Sequence, residues 1–266
     1  MPEQDYYEAA AFWKPDRYIN PDETERLTTC AAFITDDAQS LLDVGCGNGT
    51  FLTILERQRP AMRLNGLERS RTAVQSAICT SEVLEGAITA IPFADRAFDV
   101  VTALEVIEHL PYQVYEHGLR ELERVAAKGI LLSVPYRENR VFTECPNCGC
   151  RFHPNYHLRS FDEHVLEHLF QQFDCAAYEV VSIDDYWLAP VLRRLYRLLN
   201  RHQDYPKTAL CPQCGYTRSG GGHSRSAPAE SASFLNRVRR YLRDTFKARL
   251  PKYKRKNWII AYYQRK

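Results

Sequence analysis

SLLDVGCGNGTFLTILERQ, residues 40–58, is the stretch whose reading decides the fold. Residues 41–44 form a short apolar run broken only by Asp43, as a buried strand does. Gly45, Gly47 and Gly49 mark a turn, and an amphipathic run opens near Thr50 as a helix. A strand, a glycine turn and a helix in that order make the place where an open α/β sheet receives a nucleotide-like ligand, outside the carboxyl ends of its strands. Glycine lets the backbone come close to such a ligand. The spacing is GxGxG rather than GxGxxG, which argues against a dinucleotide cofactor.

Outward from this stretch the alternation repeats. MRLNGLE (62–68) reads as a second strand ending at Glu68, 23 residues after Gly45, where a carboxylate can accept from both ribose hydroxyls. The pattern predicts helices over 23–38, with Asp22 as the cap, and over 70–80, 111–127 and 161–173. Strands are expected over 83–87, 98–103, from Gly129 to Pro135, over 177–183 and, as NWIIAYY, over 257–263. Regular alternation implies a mostly parallel sheet with helices on both faces.

The 266 residues are 45% hydrophobic and 26% charged, the composition of a globular protein with room for a sizeable core. No apolar run is long enough for a membrane span, and the N-terminus lacks the basic start and apolar stretch of a signal peptide. The expected location is a reducing cytoplasm. A net charge of +2 conceals a split: residues 193–266 carry 19 Lys/Arg against 3 Asp/Glu, the remainder 16 against 30.

LLDVGCGNGTFL, Glu68 and IPFADRAFDVVTALEVIEHL (91–110) together resemble the class I S-adenosyl-L-methionine (SAM) methyltransferases, over about residues 22–183 plus the last strand. The resemblance implies an α/β, Rossmann-like, doubly wound sheet of seven strands, the last antiparallel. It implies that Asp43, Gly45, Cys46, Gly47 and Gly49 line the methionine end of SAM, that Glu68 holds the ribose, and that Leu104 contacts the cofactor through its backbone. The acidic residue that often holds the adenine amino group is replaced by Ala87, which leaves that end to backbone near Ile88 and to apolar packing.

Glu105, Glu108 and His109 follow the fourth strand and can converge if Glu105 begins a helical turn. The segment is similar to one in small-RNA 2′-O-methyltransferases and ubiquinone-pathway O-methyltransferases, where two glutamates and a histidine hold a divalent ion. In the RNA enzymes a second histidine joins them, and His157 in HPNYHLRSF aligns with it. Three roles stay open from sequence: Mg²⁺ or Mn²⁺ ligation beside the acceptor hydroxyl, acid/base or positioning chemistry at His109, or a structural turn.

CPNCGC and CPQCG place Cys145, Cys148, Cys211 and Cys214 as two knuckles, each offering two thiolates from a tight turn. Together they complete a tetrahedral structural zinc site. Cys150, His153 and His157 are possible substitutes for one ligand, and Cys30, Cys79 and Cys175 read as core residues. The expected organisation is a catalytic domain of 1–183 plus 257–266, with 136–160 and 184–256 as a zinc-clasped insertion that lids the acceptor pocket. Within it, 188–201 and 234–249 read as basic amphipathic helices, suited to an anionic membrane surface or to nucleic acid, or packed on the acidic domain.

The function expected from all this is methyl transfer from SAM to a hydroxyl on a small molecule, glycan or lipid-linked precursor, by a cytoplasmic protein peripheral to the inner membrane face. RNA 2′-O-methylation is the alternative among enzymes, and a non-catalytic zinc-containing binding scaffold the alternative of another class.

Overall fold

The computed structural model describes residues 7–8, 13, 20–186, 205–206, 209–217 and 251–266. The chain divides into two compact units: residues 1–141, 156–181 and 256–266 form the first, and 142–155 with 182–255 the second.

In chain order the elements are α1 (Pro21–Ala32), β1 (Ser40–Val44), α2 (Thr50–Gln58), β2 (Arg63–Glu68), α3 (Arg71–Gln75), β3 (Glu82–Glu85), β4 (Phe98–Leu104), α4 (Tyr112–Val125), β5 (Ala126–Pro135), β6 (Thr143–Glu144), β7 (Arg151–Phe152), α5 (Glu163–Glu167), β8 (Phe173–Tyr186) and β9 (Lys252–Arg265). The seven-stranded sheet runs β3-β2-β1-β4-β5-β9-β8. β1 pairs in parallel with β2 and β4, as do β2 with β3 and β4 with β5, while β9 runs antiparallel to β5. β8 runs antiparallel to β9: Lys254 meets Asp184 at one end and Lys266 meets Asp174 at the other.

The central strands are apolar on both faces because helices cover both. Leu41, Leu42, Val100, Val101, Ile130, Leu131, Ile259 and Ile260 are all fully buried. Strand order reverses between β1 and β4, since β2 continues on one side and β5 on the other. The loops after these two strands therefore part and open the crevice in which such sheets bind ligands.

Several elements are shorter or longer than their sequence pattern. Asn20, not Asp22, caps α1, its side chain accepting from the Glu23 amide at 2.9 Å. The 70–80 helix stops at Gln75, because the Ile78 amide is taken by the Asn48 carbonyl of the glycine loop at 2.9 Å. The 161–173 helix is confined to Glu163–Glu167. Beyond it the Gln172 amide donates to Glu123 and the Gln172 carbonyl accepts from Lys266, so the backbone is committed to tertiary partners. Within 136–160, where the sequence pattern gives no strand, the β6–β7 hairpin forms around the first cysteine pair. The last strand is twice the expected length, since β9 extends along both β5 and β8. Cys30 is core as expected, but Cys79 and Cys175 are only half-buried. The basic helices read over 188–201 and 234–249 lie outside the described residues. No helix among the described residues is long and apolar enough to cross a membrane.

Candidate active site

The loop after β1 is shaped by its glycines. Gly45, Gly47 and Gly49 all have positive φ (73°, 56° and 78°). A Cβ on Gly45 would lie 2.5 Å from the Val106 side chain, and one on Gly47 2.7 Å from the Trp13 ring. Both glycines are thus required by the neighbours of the loop as well as by its conformation. Two buried carboxylates flank it. Asp43, the fourth residue of β1, accepts from Thr102 Oγ1 at 2.6 Å; burial, only partly offset by that bond, raises its pKa to about 7. Glu68, at the end of β2, accepts from the Gly47 amide at 2.9 Å and the Ser70 amide at 2.7 Å, while burial raises its pKa. The Asn48 side-chain nitrogen is buried with no hydrogen-bond partner among the described residues.

The loop after β4 turns sharply. Glu105 does not begin a helical turn; its φ of 58° is left-handed, and a 3-10 turn comes later, over Ile107–His109. Glu105 is thereby aimed at Ser133 Oγ (3.2 Å) and Trp258 Nε1 (3.1 Å), both donating to it. Burial raises its pKa to about 7, against the pull of the buried Arg26 guanidinium. Arg26 bonds Ser133 and Glu23 and lies 5.5 Å from the Trp258 ring centre.

Glu108 is fully buried, and neither of its carboxylate oxygens has a hydrogen-bond partner among the described residues. His109 Nε2 stands 3.6 Å from one of them. One ligand atom from each of Glu108, His109 and His157 falls within 4.8 Å of the others, and the two imidazoles meet edge to face at 4.8 Å. Burial first, then the Glu105 charge, push the Glu108 pKa well above the ordinary carboxylate range. Both histidines are held from behind: His157 Nδ1 by Glu138 Oε2 at 2.6 Å, and His109 Nδ1 by the Tyr7 hydroxyl at 3.2 Å. A carboxylate and two imidazoles are a donor set that suits Mn²⁺ and related divalent ions, and unpaired buried oxygens are what an ion would satisfy.

The second unit holds the cysteines. Cys145 and Cys211 open equivalent turns: the Gly149 amide donates to the Cys145 carbonyl and the Gly215 amide to that of Cys211, each at 2.9 Å. The four sulfurs lie within 4.8 Å of one another, with Cys145 and Cys214 3.7 Å apart and Cys148 and Cys211 3.5 Å apart. Four thiolates about 2.3 Å from a tetrahedral zinc stand about 3.8 Å from each other, so the group fits that ion. The Asn147 side chain donates to Cys214 and leads in lowering its thiol pKa to about 6. None of Cys150, His153 and His157 belongs to this group.

Of the other residues expected at the site, Cys46 is buried with its sulfur against Gly66, Leu104 ends β4, and Ile88 packs its side chain beside Gly118 of α4. Trp13, Tyr7, Glu138 and Arg26 were not singled out by the sequence. The first two stand among N-terminal aromatics without periodicity, and the others look like surface charges until the fold carries them inward.

Residues 12–180 match a family model described as a methyltransferase domain. Ajmaline N-methyltransferase of Rauvolfia serpentina is 31% identical over 124 residues, 41% of this chain and 42% of that protein. Ubiquinone biosynthesis O-methyltransferase of Alkalilimnicola ehrlichii is 32% identical over 106 residues, 37% of this chain and 41% of that one. The chain thus spans about two fifths of the length of these curated relatives, whose names differ in the acceptor atom. Among solved structures, the [4+2]-cyclase SpnF superposes with a TM-score of 0.54 at 17% identity, over 91% of this chain and 80% of its own. Magnesium protoporphyrin IX methyltransferase from Synechocystis, with bound SAH, gives 0.51 at 15% identity, over 68% and 92%. At such identities the likeness is one of fold alone, and a cyclase among them shows that the fold does not dictate the reaction.

Proposed function

The chain belongs to the methyltransferase-domain family, and from that premise we propose that it moves the methyl group of SAM to a hydroxyl of a small-molecule, glycan or lipid-linked acceptor. In this reading the Asp43–Gly49 loop receives the methionine end and Glu68 the ribose. Asp43, Glu68 and Glu108 are buried carboxyl groups and Arg26 is the one buried guanidinium among the described residues, and this excess of buried acid suits a sulfonium cofactor.

The observation that carries the acceptor side is Glu108, a buried carboxylate with both oxygens unpartnered beside two histidines. Leaving such a group unpaired is costly, so a fold that keeps it keeps it for something that binds there. Glu108, His109 and His157 would hold a divalent ion, Mg²⁺ or Mn²⁺. Such an ion, when bound, lowers the pKa of a coordinated hydroxyl. Glu105, fixed by Ser133 and Trp258, places a second carboxyl group near the three without entering their group. In the second unit, Cys145, Cys148, Cys211 and Cys214 hold one structural zinc.

Transfer of radiolabelled methyl from SAM to a panel of hydroxylated acceptors, with and without chelator, tests the reading. Turnover should vanish with chelator, return with Mn²⁺, and leave SAM affinity unchanged. Full turnover after chelation would return the role to His109 as base. Transfer to RNA alone would replace the acceptor class.

A further inference from the structure

Two residues from the N-terminus, Tyr7 and Glu8, and a third, Trp13, reach both parts of the first unit's site. The Tyr7 carbonyl accepts from Ser70 Oγ at 2.8 Å and from Trp13 Nε1 at 2.5 Å. Ser70 is the residue whose amide holds Glu68, and Trp13 is the residue against Gly47. Glu8 accepts from the amides of Arg71 and Thr72 and from the Thr72 hydroxyl, at 2.8–3.1 Å, beside the same turn. The Tyr7 side chain leaves in the other direction. Its hydroxyl meets His109 Nδ1 at 3.2 Å, its ring edge meets the imidazole at 5.9 Å, and the Arg69 guanidinium lies 5.6 Å from its ring centre.

We infer that Tyr7 is a positioning residue that ties the acceptor-side histidine to the cofactor-binding turn. Its main chain belongs to the turn carrying Glu68, and its phenol selects which nitrogen of His109 is engaged from behind, so that Nε2 is the atom presented to Glu108. Glu138 does the same for His157 from the far side. Histidines that bind metals are oriented in this way by a partner on the other ring nitrogen, and loss of that partner typically weakens the metal 10–100-fold. Because one residue makes both sets of bonds, cofactor-site and ion-site occupancy favour each other through it.

The inference rests on the proposed acceptor-side role of Glu108, His109 and His157, and its test separates the two. The full chain, with ¹⁵N-labelled histidine, is compared with Tyr7→Phe, which deletes only the hydroxyl and leaves the carbonyl bonds and the ring. Calorimetry with Mn²⁺ should show about a tenfold weaker affinity in the variant. S-adenosylhomocysteine affinity without metal should change by less than about twofold. Its enhancement of Mn²⁺ binding should disappear. The His109 ring nitrogens should report one tautomer in the unaltered protein and a mixture in the variant. An unchanged tautomer together with unchanged Mn²⁺ affinity overturns the role of Tyr7. Should the unaltered protein bind no Mn²⁺, the metal reading falls, and the tautomer measurement alone decides for or against Tyr7.

Discussion

The cysteine group of the second unit and the Glu108–His109–His157 group of the first solve opposite problems. The four cysteines come in pairs three residues apart, each pair closed by its own turn, and the group they form contains no acidic or imidazole ligand among the described residues. Such a site is saturated by its own protein ligands and serves folding. The first-unit group draws on the loop after β4 and on His157 some fifty residues later, supplies three ligands, and leaves carboxylate oxygens unpaired. A site with fewer protein ligands than an ion accepts has room for a substrate. In the proposed reading the complete donor set answers to stability and the incomplete one to chemistry.

The largest expected effect breaks the first half of that contrast. Cys211→Ser should reduce zinc from one per chain to almost none, in elemental analysis under reducing conditions. Zinc binding in small zinc domains is worth roughly 10–16 kcal/mol, so amide exchange should accelerate across the second unit. Protection in β1, β4 and β5 should persist; its loss would mean that the ion supports the whole chain. Next, Glu108→Gln should lower methyl transfer by about 10²–10⁴-fold while S-adenosylhomocysteine binds as before. Turnover near that of the unaltered protein would remove Glu108 from the chemistry.

A smaller effect concerns pH. The folded state holds protons on Asp43 and Glu105 up to about pH 7, where the unfolded chain releases them near pH 4. Between those values the folded form binds more protons, so stability should fall as pH rises through the window. For Asp43 the shift from 3.8 to about 7 corresponds to roughly 4 kcal/mol. Urea unfolding in chelator at pH 5 and pH 8 should show the decline, and Asp43→Asn should flatten it. A flat profile in the unaltered protein would show that these acids are solvated. Smallest is Glu68→Ala, expected to weaken SAM by roughly 1–3 kcal/mol through loss of a charged acceptor; unchanged affinity in calorimetry would place the ribose elsewhere.

Much of this was legible in the chain because it is local. The alternation of apolar runs and glycine turns foretold β1, β2, β4 and β5, and the CPxC pairs foretold which cysteines gather, since each pair is made by one turn. The lengths of α3 and α5 were not legible: propensity would continue both helices, but the amides of Ile78 and Gln172 find better partners far along the chain. Glu105 misled for a related reason. Its spacing to Glu108 suits one face of a helix, yet the strand end forces a left-handed residue there and sends the carboxylate to Trp258, 153 residues away.

By itself, then, the sequence determined the order of strands and helices, the glycine loop between β1 and α2, and the pairing of cysteines, all of which depend on neighbours a few residues apart. Only the tertiary structure decided which of the titratable residues became a site. Tyr7, Arg26 and Glu138 come from distant parts of the chain, and each is ordinary until the sheet places it. Reversal of strand order between β1 and β4 opens the crevice, and burial beside it raises the pKa of Asp43, Glu68, Glu105 and Glu108 together. Desolvation is a property of the assembled fold, and no spacing of letters encodes it.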